Sequence, residues 1–181
     1  MATSTPWGQS QYSEKIARGI MNYGTCSHGG VHVSPTKNVL IPEYMRNADG
    51  WYEEDCEWAK VAVVFAEEYS VARGGNINEI AEVTLRHWFP DAYEKFFGKK
   101  VVKGESVVRD KEIFKEENKN NYIVVSACRQ EDGVSCIATL GGHRKFDGSE
   151  KYFMVPANEY EAGRYGFVID LEKHHEIVDN C

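Results

Sequence analysis

The apolar residues between Asp55 and Arg73 recur with the period of an α-helix, and this pattern constrains the fold more than any other in the chain. They stand at positions i, i+3, i+4, i+7 and i+11, as Trp58, Val61, Ala62, Phe65 and Tyr69. This spacing places a single apolar stripe on one side of a helix. The sequence therefore predicts a helix from Asp55 to Arg73, ended by two glycines.

Two more helices are predicted directly after this one. An amphipathic segment runs from about residue 76 to residue 88, and Pro90 then begins a short helix that ends at Gly98. Proline is favoured in the first turn of a helix and glycine just after its last residue. Together these helices form a predicted central block over about residues 52–97. A further, highly charged helix is predicted over residues 105–120.

The last third of the chain has the period of two that is typical of strands. Asp132-Gly133 predicts a hairpin turn between the first two of them. The predicted strands cover residues 122–128, 134–140, 151–155 and 165–169, with an edge strand at 176–178. These strands indicate a small antiparallel sheet.

A weaker strand pattern precedes the helices, at residues 20–23 and 31–34. Gly29-Gly30 predicts a turn into the second of these strands. Since alternate residues of a strand share a face, Val31 and Val33 should point to the core while His32 and Ser34 point outward. We expect these first strands to join the C-terminal sheet.

A helical block between strand-rich ends indicates an α+β fold rather than alternating α/β units. We expect the block to pack with a small antiparallel sheet that is built mainly from the C-terminal third. The length of 181 residues fits one domain. The predicted organisation is a flexible polar arm at residues 1–12, in which Pro6-Trp7-Gly8 could anchor an aromatic ring, followed by a single α+β domain at residues 13–181.

Charge and composition narrow the classes of partner. The net charge of −7 disfavours direct binding to nucleic acid and permits binding to a basic protein surface. No apolar run approaches the roughly 20 residues of a membrane helix. Five cysteines at wide, irregular spacing are typical of reduced thiols. We therefore expect a cytoplasmic protein that contacts neither membranes nor nucleic acid directly.

The candidate functional residues lie between Thr25 and Trp58, where polar and aromatic side chains are densest. Acids at positions 53–55 fit a helix N-terminus, where their negative charge interacts favourably with the helix macrodipole. They also fit an acidic patch that binds a basic partner beside aromatic residues. The predicted binding residues are Ser27, His28, His32, Ser34, Trp51, Tyr52, Glu53 and Glu54.

Metal binding and catalysis are alternatives for the same stretch. His28 and His32 with a carboxylate at Glu53, Glu54 or Asp55 could supply three protein ligands, but no established metal-binding spacing is present. The sequence therefore predicts no metal site and identifies no cofactor.

A nucleophile and base are also available, with Ser27 or Cys26 beside His28 or His32. The spacing is not specific to any catalytic set. No catalytic residue is assigned for this reason, and we favour a binding protein over an enzyme.

Four stretches resemble one known family: residues 5–8, residues 27–35 with SHGG and SP, residues 50–59 with GWYEEDCEWA, and residues 166–170. Together they resemble an uncharacterised domain family of bacteriophages, plasmids and other mobile elements, over nearly the whole chain. The resemblance supplies no catalytic residues. It implies a setting, because small accessory proteins of mobile elements often counter host defence.

Two functions are expected from these observations. The first is a phage or other mobile-element accessory protein that works in the host bacterial cytoplasm. It would counter a bacterial defence system by binding and inhibiting a host protein complex. The alternative is a small enzyme that hydrolyses or modifies a nucleotide or signalling molecule through the region of His28 and His32.

Overall fold

The structure is a computed structural model that describes residues 2–144 and 147–177. The chain divides into two compact units, residues 1–109 and 110–181. The described residues form helices and three small antiparallel sheets, which confirms the predicted α+β class. The predicted arm at residues 1–12 and single domain at residues 13–181 stay predictions.

The first unit contains a small hairpin and a four-stranded antiparallel sheet, the N-terminal sheet. The hairpin strands are β1 (Ser4–Thr5) and β2 (Gly8–Gln9). The N-terminal sheet consists, in spatial order, of β3 (Tyr12–Ala17), β4 (Ile20–Gly24), β5 (Gly29–Val33) and β6 (Trp51–Glu53). The prediction that the first strands join the C-terminal sheet is wrong. Short turns let β3, β4 and β5 pair in chain order, and β6 adds to β5 after a longer connection.

The glycine pair with the predicted turn lies inside a strand instead. Gly29 and Gly30 are the first residues of β5, and neither has a positive φ. The turn covers the residues between β4 and β5. Glycine is needed at these two positions because neighbouring atoms leave no space for a side chain, and not because of unusual backbone angles.

Helix α1 (Pro35–Asn38) and a single 3₁₀ turn (Glu43–Met45) link β5 to β6. The helices of the central block are α2 (Trp58–Val64), α3 (Ala66–Arg73), α4 (Ile77–Trp88) and α5 (Pro90–Phe97). In the first unit they share one core with the N-terminal sheet.

The helix predicted over Asp55–Arg73 is wrong in two respects. Residues 54–57 form a turn after β6, so the helix begins only at Trp58. It is also interrupted at Phe65, where φ is −111° and ψ is 47°. Phe65 is buried, so its ring stays in the predicted apolar stripe although its backbone leaves the helical region.

One face of the N-terminal sheet supplies the core of the first unit. Ile20, Val31, Val33 and Tyr52 are all buried there, whereas His32 is only half-buried on the opposite face. The predicted inward orientation of Val31 and Val33 is confirmed. The outer face, opposite the core, is therefore available to other side chains and to partners.

The second unit has its own sheet and core. Helix α6 (Val107–Glu117) crosses the boundary between the units. The strands, in chain order, are β7 (Tyr122–Gln130), β8 (Gly133–Leu140), β9 (Lys151–Val155) and β10 (Glu176–Ile177), and they pair in the spatial order β10-β9-β8-β7. Residue 178 of the predicted edge strand lies outside the described residues.

Two details of this sheet differ from prediction. The tight turn is formed by residues 131–132, because Gln130 pairs with Gly133. Residues 165–169 form no regular strand. They contact β7 through two backbone hydrogen bonds: the Val124 amide donates to the Phe167 carbonyl, and the Ile169 amide donates to the Tyr122 carbonyl. Among the described residues, no helix is both long enough and apolar enough to cross a membrane.

Candidate functional site

Four rings meet on the outer face of the N-terminal sheet and form what we call the outer aromatic cluster: Trp7, Tyr23, His32 and Trp51. Trp51 lies at its centre. Its ring centroid is 4.5 Å from that of His32, 5.5 Å from that of Tyr23 and 5.8 Å from that of Trp7. All four residues are half-buried, so each stays partly accessible to solvent.

Strand register brings three of these rings together. His32 of β5 lies opposite Trp51 of β6, and Tyr23 of β4 lies opposite Gly30 of β5. Residues directly opposite and diagonal in an antiparallel pair have side chains within contact distance on the same face. Tyr23, His32 and Trp51 therefore belong to one surface although they come from three strands.

The fourth ring is held by the N-terminal hairpin. Thr5 Oγ1 accepts a hydrogen bond from the amide of Trp7 and donates one to the carbonyl of Gly8. A Cβ atom at Gly30 would lie 2.2 Å from the Trp7 ring and 2.4 Å from the carbonyl oxygen of Tyr52. Glycine at position 30 is therefore required for Trp7 to cover the sheet.

His32 combines the aromatic contact with a titratable group. Burial lowers the pKa of His32 below its ordinary value, and the nearby Asp49 carboxylate partly opposes this shift. The same side chain lines an open cleft of about 420 Å³, together with Asn38, Arg46 and Asp49. Arg46 is already engaged there, because its guanidinium donates to the carbonyls of residues 39 and 41.

Tyr52 lies on the opposite face from Trp51. Its side chain is 0% exposed, and its hydroxyl donates to Asn38 Oδ1 at 2.7 Å and accepts from the Asn47 amide at 3.0 Å. Burial raises the pKa of this hydroxyl. Tyr52, a predicted binding residue, thus occupies the core and holds in place the strand that presents Trp51.

The side chains of the two candidate serines, Ser27 and Ser34, form no hydrogen bond with residues distant in sequence among the described residues. Ser27 is exposed in the turn between β4 and β5. The carbonyl of Ser34 accepts hydrogen bonds from the amides of Lys37 and Asn38, and its hydroxyl lies 3.3 Å from that of Thr36. The structure brings neither serine into a hydrogen bond with His28 or His32 among the described residues.

The acidic residues predicted to begin a helix organise a turn instead. Glu53 Oε2 accepts from the amide of Asp55 at 2.8 Å and from that of Cys56 at 3.4 Å. Glu57 accepts from Asn47 and from Lys60 Nζ, at 2.9 Å and 2.6 Å. Burial would raise the pKa of Glu57, but the hydrogen bond and charge of Lys60 outweigh it and lower that pKa.

A second group of candidate residues meets where β5 begins and β6 ends. One potential ligand atom from each of His28, Glu53 and Glu54 lies within 4.8 Å of the other two, and we call this group the His28 cluster. His28 and His32 stand four residues apart in extended backbone, which corresponds to about 13 Å. The structure therefore places the two histidines in separate groups rather than in one catalytic pair.

The backbone around the His28 cluster is fixed by hydrogen bonds. The amide and the hydroxyl of Thr25 both donate to the His28 carbonyl at 2.7 Å. The Glu54 amide donates to the Gly29 carbonyl at 3.1 Å, which continues the pairing of β5 with β6. These bonds hold His28, just before β5, beside Glu53 at the end of β6 and Glu54 in the turn that follows.

A further cleft, of about 280 Å³, opens on the core side of the N-terminal sheet. Its lining includes Asn22, Glu54, Trp58, Tyr69 and Arg73. Tyr69 is 3% exposed, and its hydroxyl has no hydrogen-bond partner among the described residues. Burial raises the pKa of that hydroxyl.

Sequence reasoning identified Trp51, His32 and His28 but not Tyr23. The anchoring of Trp7 is signalled by the Pro6-Trp7-Gly8 turn, and its contact with Gly30 bears out that expectation. No sequence pattern marks Tyr23 as part of the site, because its position beside Trp51 depends on the register between β4 and β5.

Comparison with known proteins gives one family. No curated protein and no solved structure matches the chain. A family model described as "Domain of unknown function (DUF7007)" matches residues 1–119, which include the outer aromatic cluster and the His28 cluster. The predicted resemblance to an uncharacterised domain family is confirmed over residues 1–119 rather than over nearly the whole chain, while its motifs and its link to mobile elements stay predictions. The chain belongs to this domain family of unknown function, DUF7007.

Proposed function

We propose that this chain is a mobile-element accessory protein, encoded by a phage, that binds a host bacterial protein through the outer aromatic cluster. By occupying that protein it inhibits a defence complex in the host cytoplasm. The observation that supports binding is the convergence of four half-buried aromatic residues on one sheet face. The defence setting rests on the resemblance of the sequence motifs.

The outer aromatic cluster has the properties of a binding hot spot. Tryptophan and tyrosine bury a large area with few rotatable bonds, and residues of these types dominate the energy of many interfaces. In this cluster the rings are also fixed before binding, because three belong to paired strands and Trp7 packs over Gly30. A surface that is already ordered loses less conformational entropy when a partner docks.

Acidic residues beside the cluster favour a partner with a basic surface. Asp49 Oδ1 accepts from the amide of Trp51, and Glu53 follows Trp51 two residues later in β6. Glu54 and Asp55 are exposed in the next turn. With a net charge of −7, these carboxylates would speed association with a lysine- or arginine-rich surface and orient it.

A phage-plating experiment with matched tryptophan variants tests this proposal. Bacteria carrying a defined defence system would express the wild-type chain, Trp51→Ala or Trp88→Ala, and plaque numbers of a sensitive phage would be counted. Trp88 is 47% exposed and lies outside the cluster, which makes it the matched control. We expect wild type and Trp88→Ala to restore plaques, and Trp51→Ala to fail.

A second measurement is the affinity (Kd) of each variant for the host defence protein that the wild-type chain binds. Loss of a hot-spot ring costs about 2 kcal/mol or more, which corresponds to roughly 30-fold in Kd. Equal affinity of wild type and a folded Trp51→Ala variant would refute the aromatic part of the proposal. The acidic part would be refuted if Glu53→Lys combined with Glu54→Lys left both plaques and Kd unchanged.

The second candidate is a small enzyme that acts on a nucleotide or signalling molecule through the region of His28. The observation that favours it is the convergence of an imidazole and two carboxylates in the His28 cluster, since such groups transfer protons in catalysis. Incubation with a panel of nucleotides, followed by chromatography, would detect turnover. In that case His28→Ala should abolish product formation while the melting temperature stays near that of wild type.

A further inference from the structure

We propose that His28, Glu53 and Glu54 bind a divalent transition-metal ion. The three side chains offer one imidazole nitrogen and two carboxylate oxygens, all within 4.8 Å of one another. Ligand atoms that each lie about 2 Å from a common ion are necessarily separated by about 4 Å or less, so small side-chain adjustments complete the coordination. The inference does not rest on the outer aromatic cluster, although Glu53 and Glu54 are shared with the acidic part of the proposed partner surface.

Two of the three side chains have no competing interaction in the described part of the chain, and the third is held by backbone amides. No hydrogen bond or ion pair engages the His28 ring or the Glu54 carboxylate within residues 2–144 and 147–177. Glu53 uses Oε2 for two backbone amides, which fixes the orientation of its carboxylate.

The other oxygen of Glu53 is a second, separate observation that favours a cation at this cluster. Glu53 Oε1 is inaccessible to solvent and has no hydrogen-bond donor in the described part of the chain. Burying a carboxylate oxygen without a partner is unfavourable, and such orphaned atoms are rare in folded proteins. A metal ion beside this carboxylate supplies the positive charge that the protein itself does not.

The surrounding charges also favour a cation. Glu53, Glu54 and Asp55 are consecutive acids, and none forms an ion pair with a lysine or arginine in the described structure. Lys60, which is close in sequence, pairs with Glu57 at 2.6 Å. Two carboxylates held together without a counter-ion repel each other, whereas a divalent ion neutralises both.

The ligand set determines the class of metal. Magnesium and calcium prefer all-oxygen surroundings, while an imidazole nitrogen suits zinc and its first-row neighbours. Three protein ligands leave at least one coordination position for water, a substrate oxygen or a side chain of a partner. The two amides that hold Glu53 Oε2 act as supporting groups of the kind that orient metal ligands in other sites.

Calorimetric titration of the purified full-length chain with ZnCl₂ tests the proposal. We expect one ion per chain, with an affinity that His28→Ala and Glu54→Gln each lower at least tenfold. Both side chains are exposed, so these substitutions should leave the fold intact. Asp55→Asn removes a neighbouring acid that is not in the cluster, and Cys26→Ser removes a nearby exposed thiol. Both controls should bind as wild type does.

Imidazole NMR signals identify the ligand directly. We expect substoichiometric Zn²⁺ to shift the ring signals of His28 while those of the exposed His175 remain unchanged. The proposal is overturned if no stoichiometric binding occurs, or if folded His28→Ala and Glu54→Gln bind with wild-type affinity. Because Trp51→Ala should bind zinc normally, a failed metal site and a failed partner surface can be told apart.

Discussion

The two four-stranded sheets of this chain have the same antiparallel pairing but use it differently. The sheet formed by β7–β10 fills its core with large and medium side chains, including Phe153, Val134 and Val155. The N-terminal sheet places glycines at positions 24, 29 and 30, and the spaces are filled by neighbouring aromatic and acidic side chains. In the β7–β10 sheet, side-chain packing stabilises the fold. In the N-terminal sheet, the absence of a side chain at Gly30 leaves room for the Trp7 ring of the outer aromatic cluster.

Phe153→Ala should have the largest effect, because it tests the sheet that is stabilised by ordinary packing. Phe153 is 0% exposed in β9, and truncating such a ring removes buried area and leaves a cavity. We expect a loss of about 3–5 kcal/mol in the free energy of unfolding, measured by denaturant titration with circular dichroism. Met154→Ala, at the half-buried next position, should cost clearly less. Equal losses would contradict the packing argument.

Gly30→Ala tests the N-terminal sheet by adding a single methyl group. The new Cβ would overlap the Trp7 ring and the Tyr52 carbonyl, so Trp7 must move and the strand must shift. We expect a loss of about 1–3 kcal/mol in the free energy of unfolding, as is typical of overpacking. Gly163→Ala is the control, since its Cβ would come no closer than 3.4 Å to the carbonyl oxygen of Gly166. A stable Gly30→Ala variant would show that Trp7 does not depend on this glycine.

Tyr69→Phe tests the core side of the N-terminal sheet. The buried hydroxyl has no partner in the described structure, so its removal should raise the free energy of unfolding by about 1 kcal/mol. Tyr93→Phe provides the opposite case, because that hydroxyl donates to Glu82 at 3.0 Å and its loss should be destabilising. If Tyr69→Phe also destabilises the chain, a water molecule or ligand in the cleft bonds the hydroxyl.

His32→Gln should have the smallest effect and should depend on pH. Burial lowers the pKa of His32 below 6.5, so protons bind the unfolded chain more readily than the folded one as the pH falls. Wild type should therefore lose stability relative to His32→Gln between pH 7 and pH 5. Melting temperatures of both proteins across this pH range would measure the difference in stability, with His175→Gln as the exposed control. A difference that grows in favour of wild type at low pH would contradict burial as the cause of the shift.

The helices were the most predictable part of the fold. Pro90 and Gly98 mark α5, and the amphipathic pattern before them gives α4 nearly to the residue. The interruption at Phe65 was not predictable, because the apolar stripe continues through it. Its backbone angles depend on packing between helices and sheet, which a periodic pattern does not record.

The pairing of the N-terminal strands was not predictable for a related reason. The segment of β5 that contains two glycines gives a turn signal, and β6 has only three residues. Residues 34–50 separate these two strands, so their register depends on contacts that are distant in sequence. Strand signals reveal where extended segments lie but not which partner each segment takes.

The candidate site was predictable as a set of residues rather than as an arrangement. Residue chemistry singles out His28, Glu53 and Glu54, and the register of β5 and β6 brings them together. The same register separates His32 from them and joins it to Trp51. Tyr52 is indistinguishable from its neighbours in sequence, because only the alternation of the strand shows that it faces inward.

The edge-to-face arrangement of Trp7 and Trp51 has an optical consequence. Two indole rings at 5.8 Å and 88° are close enough for their electronic transitions to couple in a fixed chiral geometry. The near-ultraviolet circular dichroism of this chain should therefore carry a signal from that pair that neither Trp58 nor Trp88 contributes. The assembled surface can therefore be monitored without any label while a partner binds to it.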